Sequence, residues 1–525
     1  MLRFLHTFKN SDVLKSMVVA FVAGACLALS TLSPYTAGFL LVGLFLLFKL
    51  IDTRGFSIRK LLVLSLVSGT LYMGVGFFWV LELHPLSWSG ISNPVASLSL
   101  VMLVWLIIAF VQGASVGIWA VLVRLCRGCT PGMEGVVAAS LWILSEKLRV
   151  FLLVALFYGN PSQFVPHLDF INAGYIAAQL NVFALLLPLG GSVLASWFAV
   201  LFSYVLYVSS KKERLLMFVS TAGVFLVLNQ VLPLPNERIT TAPLTVGVLT
   251  SDFAPDFSQS GITKRVREVH DVLAEIATPL DMVVLSENSF YLRRRIFTPF
   301  ANSETDTHLP ISLIVDSSMW SGGHDLYYYK PDTQTTETYS KIVLMPQGEY
   351  LMGWEVFFAK LFGFDDWLKS KQAIIAPRVG TEVVPFVLNK EVTVGGLLCA
   401  ESASPYLFRD LVLKGATILV NPASYAVFDD SSLLSLQSKM IVRVRAIELD
   451  RYVVVSGNST DSFIVSNQGE VVALVDPNQN LSIAIVEIFA NKHQTLFARF
   501  GEWIVYVSFF ILVLQFICLR KSLKK

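Results

Sequence analysis

The sequence has 525 residues, of which 54% are hydrophobic, 12% aromatic and only 15% charged. Soluble proteins carry about 25% charged residues, so this composition excludes a disordered chain, a nucleic-acid-binding protein and an ordinary cytosolic enzyme. The formal net charge of +2 gives no strong field to attract anionic partners. The charge is uneven, because residues 1–233 contain 21 charged groups and residues 234–501 contain 52. We therefore expect a part embedded in lipid followed by a part in water.

Apolar stretches of membrane-spanning length dominate the first part. A helix needs about 20 mostly apolar residues to cross a bilayer. Seven such stretches precede the polar region and one follows it; they lie near 16–32, 35–51, 61–81, 94–123, 134–157, 188–210, 214–232 and 503–519. The segment 175–190 is interpreted as a re-entrant or interfacial piece that leads into the sixth span.

Basic residues alternate between the two sides of these spans. Lys and Arg precede the first span and follow the second, fourth, sixth and last spans, whereas the connections 33–34, 82–93 and 158–187 contain none. Positive charge stays on the cytoplasmic side of a membrane. We therefore expect both termini in the cytoplasm and the polar region 233–502 on the outer side.

Three charged residues, Glu146, Lys147 and Arg149, interrupt the fifth span. Charges inside a membrane are candidates for a functional site. A mutually paired cluster near a helix end is an equally good interpretation, and the sequence leaves both open.

The polar region alternates short β-rich runs with helical stretches. Strands are predicted at 244–250, 281–287, 311–317, 392–399, 417–421 and 451–458, and helices at 261–278, 403–414 and 433–449. This alternation predicts a layered α/β domain. We place the membrane domain at 1–233, the catalytic domain at 234–501, and the last helix with its basic tail at 502–525.

Three residues near the ends of predicted strands are candidates for catalysis. Cys399 lies between a strand and a helical stretch, where a tight turn would expose a nucleophilic thiol. Glu287 ends another strand, and a partly desolvated carboxylate there could act as a general base. Lys341 could stabilise an oxyanion. Each residue alone has a plain structural interpretation: a buried inert thiol, a solvated acid and a surface charge.

No metal or cofactor is expected from the sequence. It contains no glycine-rich phosphate loop and no spaced set of metal ligands. Cys126 and Cys129 form a single CxxC, which is weak evidence for a zinc or redox site. His270, His308 and His324 remain candidates for a Cys–His arrangement with the thiol.

The three candidates together resemble the nitrilase superfamily, which uses Glu, Lys and Cys in this chain order. The matching motifs are "LSEN" around Glu287, "YSKIVLMPQGE" around Lys341 and "LLCAE" around Cys399. With the membrane helices, the chain resembles one branch, the bacterial apolipoprotein N-acyltransferases, over nearly its whole length. The resemblance implies an αββα nitrilase-like sandwich joined to a multi-pass helical membrane domain, with one C-terminal transmembrane helix.

The resemblance also implies a reaction. Glu287 would deprotonate Cys399, the thiolate would take an acyl chain from a membrane phospholipid, and Lys341 would stabilise the oxyanion. The thioester would then pass to the α-amino group of a diacylglyceryl-cysteine on a lipoprotein, the last step of lipoprotein maturation, with ping-pong kinetics. Glu349 and Glu401 are candidates for positioning Lys341 or the incoming amine. We further expect a monomer in the bacterial inner membrane, with the catalytic domain in the periplasm.

The chain departs from the family pattern at three places. Leu285 and Ser286 precede the general base where Trp-Pro is common, Ala400 follows the nucleophile where an aromatic residue is frequent, and Val420, Asn421 and Pro422 replace the usual "SND". These departures concern rate and lipid preference more than reaction type.

An aromatic segment follows the Lys341 motif. Met352, Trp354, Phe357 and Phe358 lie in "YLMGWEVFFAKLFGFDDWL", which suits an arm at a lipid interface; packing in the domain core is the alternative. Three other functions are alternatives: a membrane-tethered nitrilase-type amidohydrolase, a catalytically silent membrane assembly protein and a lipoprotein transporter. The sequence shows neither a nucleotide site nor paired helical repeats for the transporter.

Overall fold

The computed structural model describes residues 11–126, 133–160, 164–209, 242–254, 258–293, 309–320, 323–346, 348–372, 378–429, 431–475 and 481–522. The predicted seventh span at 214–232 and the predicted boundary at 233/234 lie outside these residues. Cys129 and His308 lie outside them as well, so the CxxC interpretation stays a prediction.

Long helices form wherever a span is both predicted and described. They are α1 (Ser11–Leu29), α2 (Phe39–Ile51), α3 (Ile58–Gly76), α4 (Pro94–Leu125), α5 (Glu134–Phe157), α8 (Leu187–Val208) and α15 (Trp503–Ser522). Within the described residues, five helical segments are long and apolar enough to cross a membrane, and the first includes the 3₁₀ turn before α2: Pro34–Ile51, Ile58–Gly76, Pro94–Leu125, Leu187–Val208 and Trp503–Arg520. The apolar part of α1, Leu14–Leu29, is shorter. The transmembrane character predicted from composition is confirmed.

Close backbone contact joins α3 to α4. A Cβ atom at Gly69 would lie 2.2 Å from the carbonyl oxygen of Gly113, so only glycine allows the two helices to approach this closely. The predicted re-entrant segment folds as two short helices, α6 (Ala173–Ala177) and α7 (Asn181–Ala184). Helix α8 is kinked near its start, where Gly190 and Gly191 leave helical geometry.

The charged residues of α5 are paired rather than free. Lys147 Nζ lies 2.6 Å from Glu502 Oε1 at the start of the last helix. Arg149 contacts Asp169 at 3.2 Å, and Glu146 Oε1 accepts a hydrogen bond from the backbone of Ala173. The pairing fits the structural interpretation of this cluster, because each charge has a specific partner.

Two six-stranded sheets form the second part of the chain. Their strands are β1 (Leu244–Thr250), β2 (Met282–Glu287), β3 (Ile314–Trp320), β4 (Gly323–Lys330), β5 (Thr335–Ser340), β6 (Phe386–Val387), β7 (Thr393–Gly396), β8 (Ile418–Ser424), β9 (Val453–Asn458), β10 (Ser462–Val465), β11 (Val471–Val475) and β12 (Ser482–Ile488). The strand orders are β12-β1-β2-β3-β4-β5 and β11-β10-β9-β8-β7-β6. The central pairs β1–β2–β3 and β7–β8–β9 are parallel.

The sheets pack face to face with helices on both outer sides. Val246, Val284 and Val315 of the first sheet share one buried core with Val420 and Val454 of the second. Helix α9 (Gln259–Ala274) covers the other face of the first sheet, and α12 (Leu407–Leu413) and α13 (Ser432–Leu449) cover the second. The α/β sandwich above a helical membrane region is the fold class predicted from the sequence, which is confirmed.

The sandwich rests directly on the membrane helices. Tyr350 donates a hydrogen bond to the carbonyl of Phe157, the last residue of α5, at 2.8 Å. Gln437 of α13 donates to the carbonyl of Gly76, the last residue of α3, at 3.0 Å. Phe428 packs edge-on against Trp79 with ring centroids 5.4 Å apart. These contacts fix one end of the sandwich against the helix ends.

Candidate active site

Strand ends bring the predicted catalytic residues together. Glu287 is the last residue of β2, Lys341 follows β5, and Cys399 lies three residues beyond β7. Carboxyl ends of parallel strands meet at one edge of a sheet, and the two sheets face each other at that edge. Glu287 is 4% exposed and Lys341 1% exposed, while Cys399 is half-buried.

Local backbone geometry orients the side chains of Glu287 and Cys399. The pairing of β2 with β3 shifts register between Val284 and Glu287, and Asn288 then takes a φ of 64°. Cys399 itself has a φ of 50°, an uncommon value for a residue with a side chain. It begins the 3₁₀ turn Cys399–Ala403, so the strained turn holds the thiol at the edge of the sheet.

Four buried charged or polar side chains form one chain of contacts beside the half-buried thiol of Cys399. Lys341 Nζ lies 2.7 Å from Glu349 Oε1 and 3.9 Å from Glu287 Oε1. His324 lies between the two carboxylates, with Nδ1 2.9 Å from Glu349 Oε1 and Nε2 3.2 Å from Glu287 Oε1. Cys399 lies near enough to Glu287 and Lys341 for their charges to act on its thiol, and its Sγ lies 3.9 Å from the carbonyl oxygen of Ser424.

Burial and charge set the ionisation of this cluster. Burial raises the pKa of Glu287, although the charge of Lys341 opposes the shift. Burial also raises the pKa of Cys399 to about 12, with the charge of Glu287 adding to it. The thiol is therefore protonated at neutral pH, and it needs a neighbouring base to become a nucleophile.

The lysine and its partner keep their charges. Burial alone would lower the pKa of Lys341, but Glu349 and Glu287 outweigh it and raise that pKa. Burial would raise the pKa of Glu349, but Lys341 and His324 lower it to about 2. An ammonium fixed beside the thiol can stabilise a developing oxyanion.

Glu401 ties the nucleophile turn to the lysine segment. Its Oε2 accepts a hydrogen bond from the backbone of Leu398 at 2.8 Å. Its Oε1 accepts from the backbones of Ile342 and Val343 and from the hydroxyl of Tyr339. Glu349 contacts the Lys341 ammonium directly, whereas Glu401 accepts hydrogen bonds from the backbone next to Cys399 and next to Lys341. The two predicted positioning residues therefore lie in different parts of the site.

Only part of the predicted aromatic arm is exposed. Phe357 and Phe358 on α10 (Gly353–Leu361) are 61% and 47% exposed. Met352 is 3% exposed and packs with Leu344 and Tyr350, with Trp354 partly buried against them. Met352 therefore lies beneath the arm, and the exposed aromatic face continues instead through Phe362 and Phe364.

Two residues in contact with the site have no specific role predicted from the sequence. His324 was only one of three candidate histidines, and its strand β4 was not predicted. Arg445 of α13 donates to the carbonyls of Ser402 and Ala403 at 3.1 and 3.3 Å, and it also pairs with buried Glu448. A basic residue within the apolar face of a helix is the signal that points to Arg445.

The cluster also has the spacing of metal ligands. The ligand atoms of Glu287, His324 and Glu349 lie within 4.8 Å of one another. The ammonium of Lys341 already provides a cation 2.7 Å from Glu349. A divalent ion there would meet this ammonium at close range, so the donor set does not fit a resident metal.

Comparisons with known proteins agree with this fold. A model described as carbon-nitrogen hydrolase matches residues 324–494. The chain thus has a nitrilase-like α/β domain next to membrane helices. The predicted enzyme class, an acyltransferase, is confirmed by the relatives that follow. The predicted resemblance is confirmed as well. The apolipoprotein N-acyltransferase of Gloeobacter violaceus is 26% identical over 94% of this chain and 92% of its own length. That of Nostoc sp. is 23% identical over 90% of this chain and 93% of its own length.

Solved structures match the second part of the chain. A CN-hydrolase superfamily protein from Xanthomonas campestris is 14% identical and covers 47% of this chain and 91% of its own, with a TM-score of 0.32. An amidase from Nesterenkonia sp. is 12% identical, with the same coverage of both chains and a TM-score of 0.32.

Proposed function

We propose that this protein transfers a fatty acyl chain from a membrane phospholipid to the α-amino group of a diacylglyceryl-cysteine at a lipoprotein N-terminus. The reaction would proceed in two steps through a thioester on Cys399. The observation that carries the proposal is the buried contact chain of Glu287, Lys341 and Cys399 beside the ends of the membrane helices. No cofactor is part of this mechanism.

In the first step Glu287 takes the proton of the Cys399 thiol, and the sulfur attacks the carbonyl carbon of a phospholipid ester. Lys341 stabilises the negative charge on the carbonyl oxygen. The C–O ester bond then breaks, the proton passes from Glu287 to the leaving oxygen, and a lysophospholipid departs. The acyl chain stays on sulfur as a thioester.

In the second step the free amine of the lipoprotein attacks the thioester carbonyl. Glu287 removes a proton from the attacking nitrogen and Lys341 again stabilises the oxyanion. The C–S bond breaks, the proton returns to Cys399, and the amide product leaves. The first product leaves before the second substrate enters, so ping-pong kinetics follow.

We place the site at the outer face of the inner membrane, where it would have access to both substrates. The basic residues predict cytoplasmic termini and a periplasmic sandwich, and we keep the domain boundaries at 1–233, 234–501 and 502–525. Phe357 and Phe358 would enter the lipid interface as an arm. We also propose that the protein acts as a monomer.

The experiment is mass spectrometry of the purified protein after incubation with phospholipid. We expect a fatty-acyl mass on the peptide that carries Cys399, released by hydroxylamine, and we expect a diacylglyceryl-lipopeptide to remove it as an N-acylated product. The Cys399→Ala variant should carry no label. Cys26→Ala is the matched control, because Cys26 lies in α1 away from the site.

Two outcomes would contradict the proposal. An acyl mass that persists in the Cys399→Ala variant would place the acyl group elsewhere. Release of free fatty acid at the same rate with and without an amine acceptor would favour the amidohydrolase alternative, since water would then be the acceptor.

A further inference from the structure

A buried histidine separates the two carboxylates of the site. His324 is 2% exposed and lies on β4, opposite Met319 of β3. Its Nδ1 is 2.9 Å from Glu349 and its Nε2 is 3.2 Å from Glu287. Its own carbonyl accepts a hydrogen bond from the backbone of Lys341 at 2.8 Å. The proposed mechanism gives this imidazole no task.

The tautomer of His324 follows from its first neighbour. Glu349 is held as a carboxylate by Lys341 and can only accept hydrogen bonds. The ring proton of a neutral imidazole therefore resides on Nδ1, where it is donated to Glu349. This leaves a lone pair on Nε2.

The second neighbour cannot use this lone pair while it is ionised. A carboxylate at Glu287 presents only acceptors, and an acceptor facing an acceptor forms no hydrogen bond. Among the residues that the structure describes, Nε2 has no hydrogen-bond partner, and Glu287 Oε1 lies 3.2 Å from it.

We propose that His324 is a positioning residue that accepts a hydrogen bond at Nε2 from Glu287 once Glu287 has taken the proton of Cys399. The S–H bond breaks, the proton moves to Glu287, and the new carboxylic O–H donates to Nε2. The histidine thereby stabilises the acid form of the base during each half of the reaction. This inference rests on the proposed acyl transfer.

Other charged groups face the same pair. In the described part of the chain, Lys341 contacts Glu287 and Glu349 contacts His324, while Cys399 and Tyr425 lie close enough to Glu287 to feel its charge. None of these groups offers a lone pair at the position of Nε2. The role of an uncharged acceptor therefore falls to His324 alone among them.

The test compares His324→Asn with the wild-type protein. The asparagine amide can still donate to Glu349 in place of Nδ1, but it provides nothing at the position of Nε2. His270→Asn is the matched control, because His270 lies on α9 and bonds to Tyr291 outside the site. The measurement is single-turnover acylation of Cys399 by phospholipid in detergent between pH 4.5 and 9, read from the mass of the Cys399 peptide.

Loss of the acceptor destabilises protonated Glu287 and so lowers its pKa. We expect the acidic limb of the rate profile to move to lower pH by about one unit, and the plateau rate to fall about tenfold because the base is weaker. His270→Asn should keep the wild-type profile. The melting temperature reports any general loss of stability separately.

Three outcomes separate the possibilities. An unshifted limb in His324→Asn, with normal or slower acylation, would overturn the inference and leave the acyl transfer intact. A limb that moves to higher pH would also overturn it, because it would mean that a charged imidazolium had been removed. No acyl mass on Cys399 in the wild-type protein would refute the proposed function itself.

Discussion

Lys341 Nζ lies 2.7 Å from Oε1 of Glu349 and 3.9 Å from Oε1 of Glu287. The ammonium is thus held by the carboxylate that does not contact the thiol, while it remains within electrostatic reach of the one that does. Lys341 is 1% exposed, and a buried ammonium needs such a partner to keep its charge. Glu349 therefore fixes both the charge and the position of the proposed oxyanion stabiliser.

The first prediction concerns this ion pair. Glu349→Gln should slow acylation of Cys399 about 100-fold, because the ammonium loses the group that aims it. It should also lower the free energy of unfolding by about 3–5 kcal/mol, since one partner of a buried pair is left alone. Acyl-enzyme mass spectrometry and thermal unfolding in detergent measure the two effects.

An exposed ion pair supplies the control for Glu349→Gln. Glu382 lies 2.9 Å from Lys414 with its side chain 70% exposed. Glu382→Gln should leave acylation and melting temperature unchanged, because exposed pairs contribute little. Equal effects of the two substitutions would show that the Lys341 pair has no special role.

The second prediction distinguishes a mechanism in which Glu287 deprotonates Cys399 from one in which Cys399 ionises without a base. The pKa of Cys399 is about 12, so a mechanism without a base would become tenfold faster with each pH unit up to that value. With Glu287 as base, the rate should increase with pH until Glu287 is deprotonated, and it should then stay constant to about pH 9. The measurement is single-turnover acylation as a function of pH.

The Glu287→Gln variant completes this comparison. It should be about 10²–10⁴-fold slower at neutral pH, and its rate should now increase steadily with pH, because only hydroxide can remove the thiol proton. Glu268→Gln, on the exposed side of α9, is the matched control. A level profile in Glu287→Gln would exclude this carboxyl as the base.

Some of this site could be predicted from the sequence because its residues follow strands with strong local patterns. "LTVGVLT" was predicted at the bounds that β1 has in the structure, and β2, which carries Glu287, differs from its prediction by one residue. Both strands are apolar and bounded by polar residues, so local pattern alone identifies them.

Other elements could not be predicted because their environment comes from the tertiary fold. Strand β5, "TTETYS", is largely exposed and polar and forms only by pairing with β4. Strand β4 carries His324, so missing it also hid the histidine's place between the two carboxylates. Sequence spacing gives no hint that residues 287, 324 and 349 meet.

The third prediction uses Arg445, which holds the end of the nucleophile turn through the carbonyls of Ser402 and Ala403. Arg445→Met alone should destabilise the protein by about 3–5 kcal/mol, because buried Glu448 loses its partner. In the double variant with Glu448→Leu, thermal stability should recover, since an apolar pair can replace a buried ion pair.

Activity should not recover with stability in that double variant. The carbonyls of the turn still lack their donor, so acylation of Cys399 should stay about tenfold or more below wild type. Measuring melting temperature and acylation on the same samples tests this. Parallel recovery of both would show that Arg445 acts only through stability.

The fourth prediction concerns the pH dependence of the arm. Glu355 caps α10 by accepting a hydrogen bond from the backbone of Met352 at 2.9 Å, and burial raises the pKa of its carboxyl to about 7. The folded arm binds this proton more tightly than the unfolded chain does, in which the pKa is about 4.3. The protonated form therefore stabilises the arm below about pH 4.3, and this contribution, on the order of 3 kcal/mol, is lost as the pH rises through 7.

Hydrogen exchange of residues 353–361 measures this effect. After correction for intrinsic rates, these amides should exchange more slowly at pH 5 than at pH 8. Glu355→Gln, which is neutral at both values, should remove most of the difference. A wild-type arm with equal protection at the two pH values would contradict the expectation.

The fifth prediction addresses the exposed face of the arm. Phe357 and Phe358 are 61% and 47% exposed, and each ring would contribute about 1.5–3 kcal/mol if it were buried in lipid. Phe357→Ser with Phe358→Ser should therefore raise the apparent KM for phospholipid in vesicles by tenfold or more. Acylation of Cys399 by a short-chain soluble ester should be unaffected, because the substitutions lie outside the contact chain.

Leu474→Ser, at an equally exposed apolar position on β11 (59%), is the control for a general loss of surface hydrophobicity, and it should change neither rate. If the double variant slowed the soluble ester as much as the vesicle substrate, the arm would be acting on the structure of the site rather than on its contact with lipid.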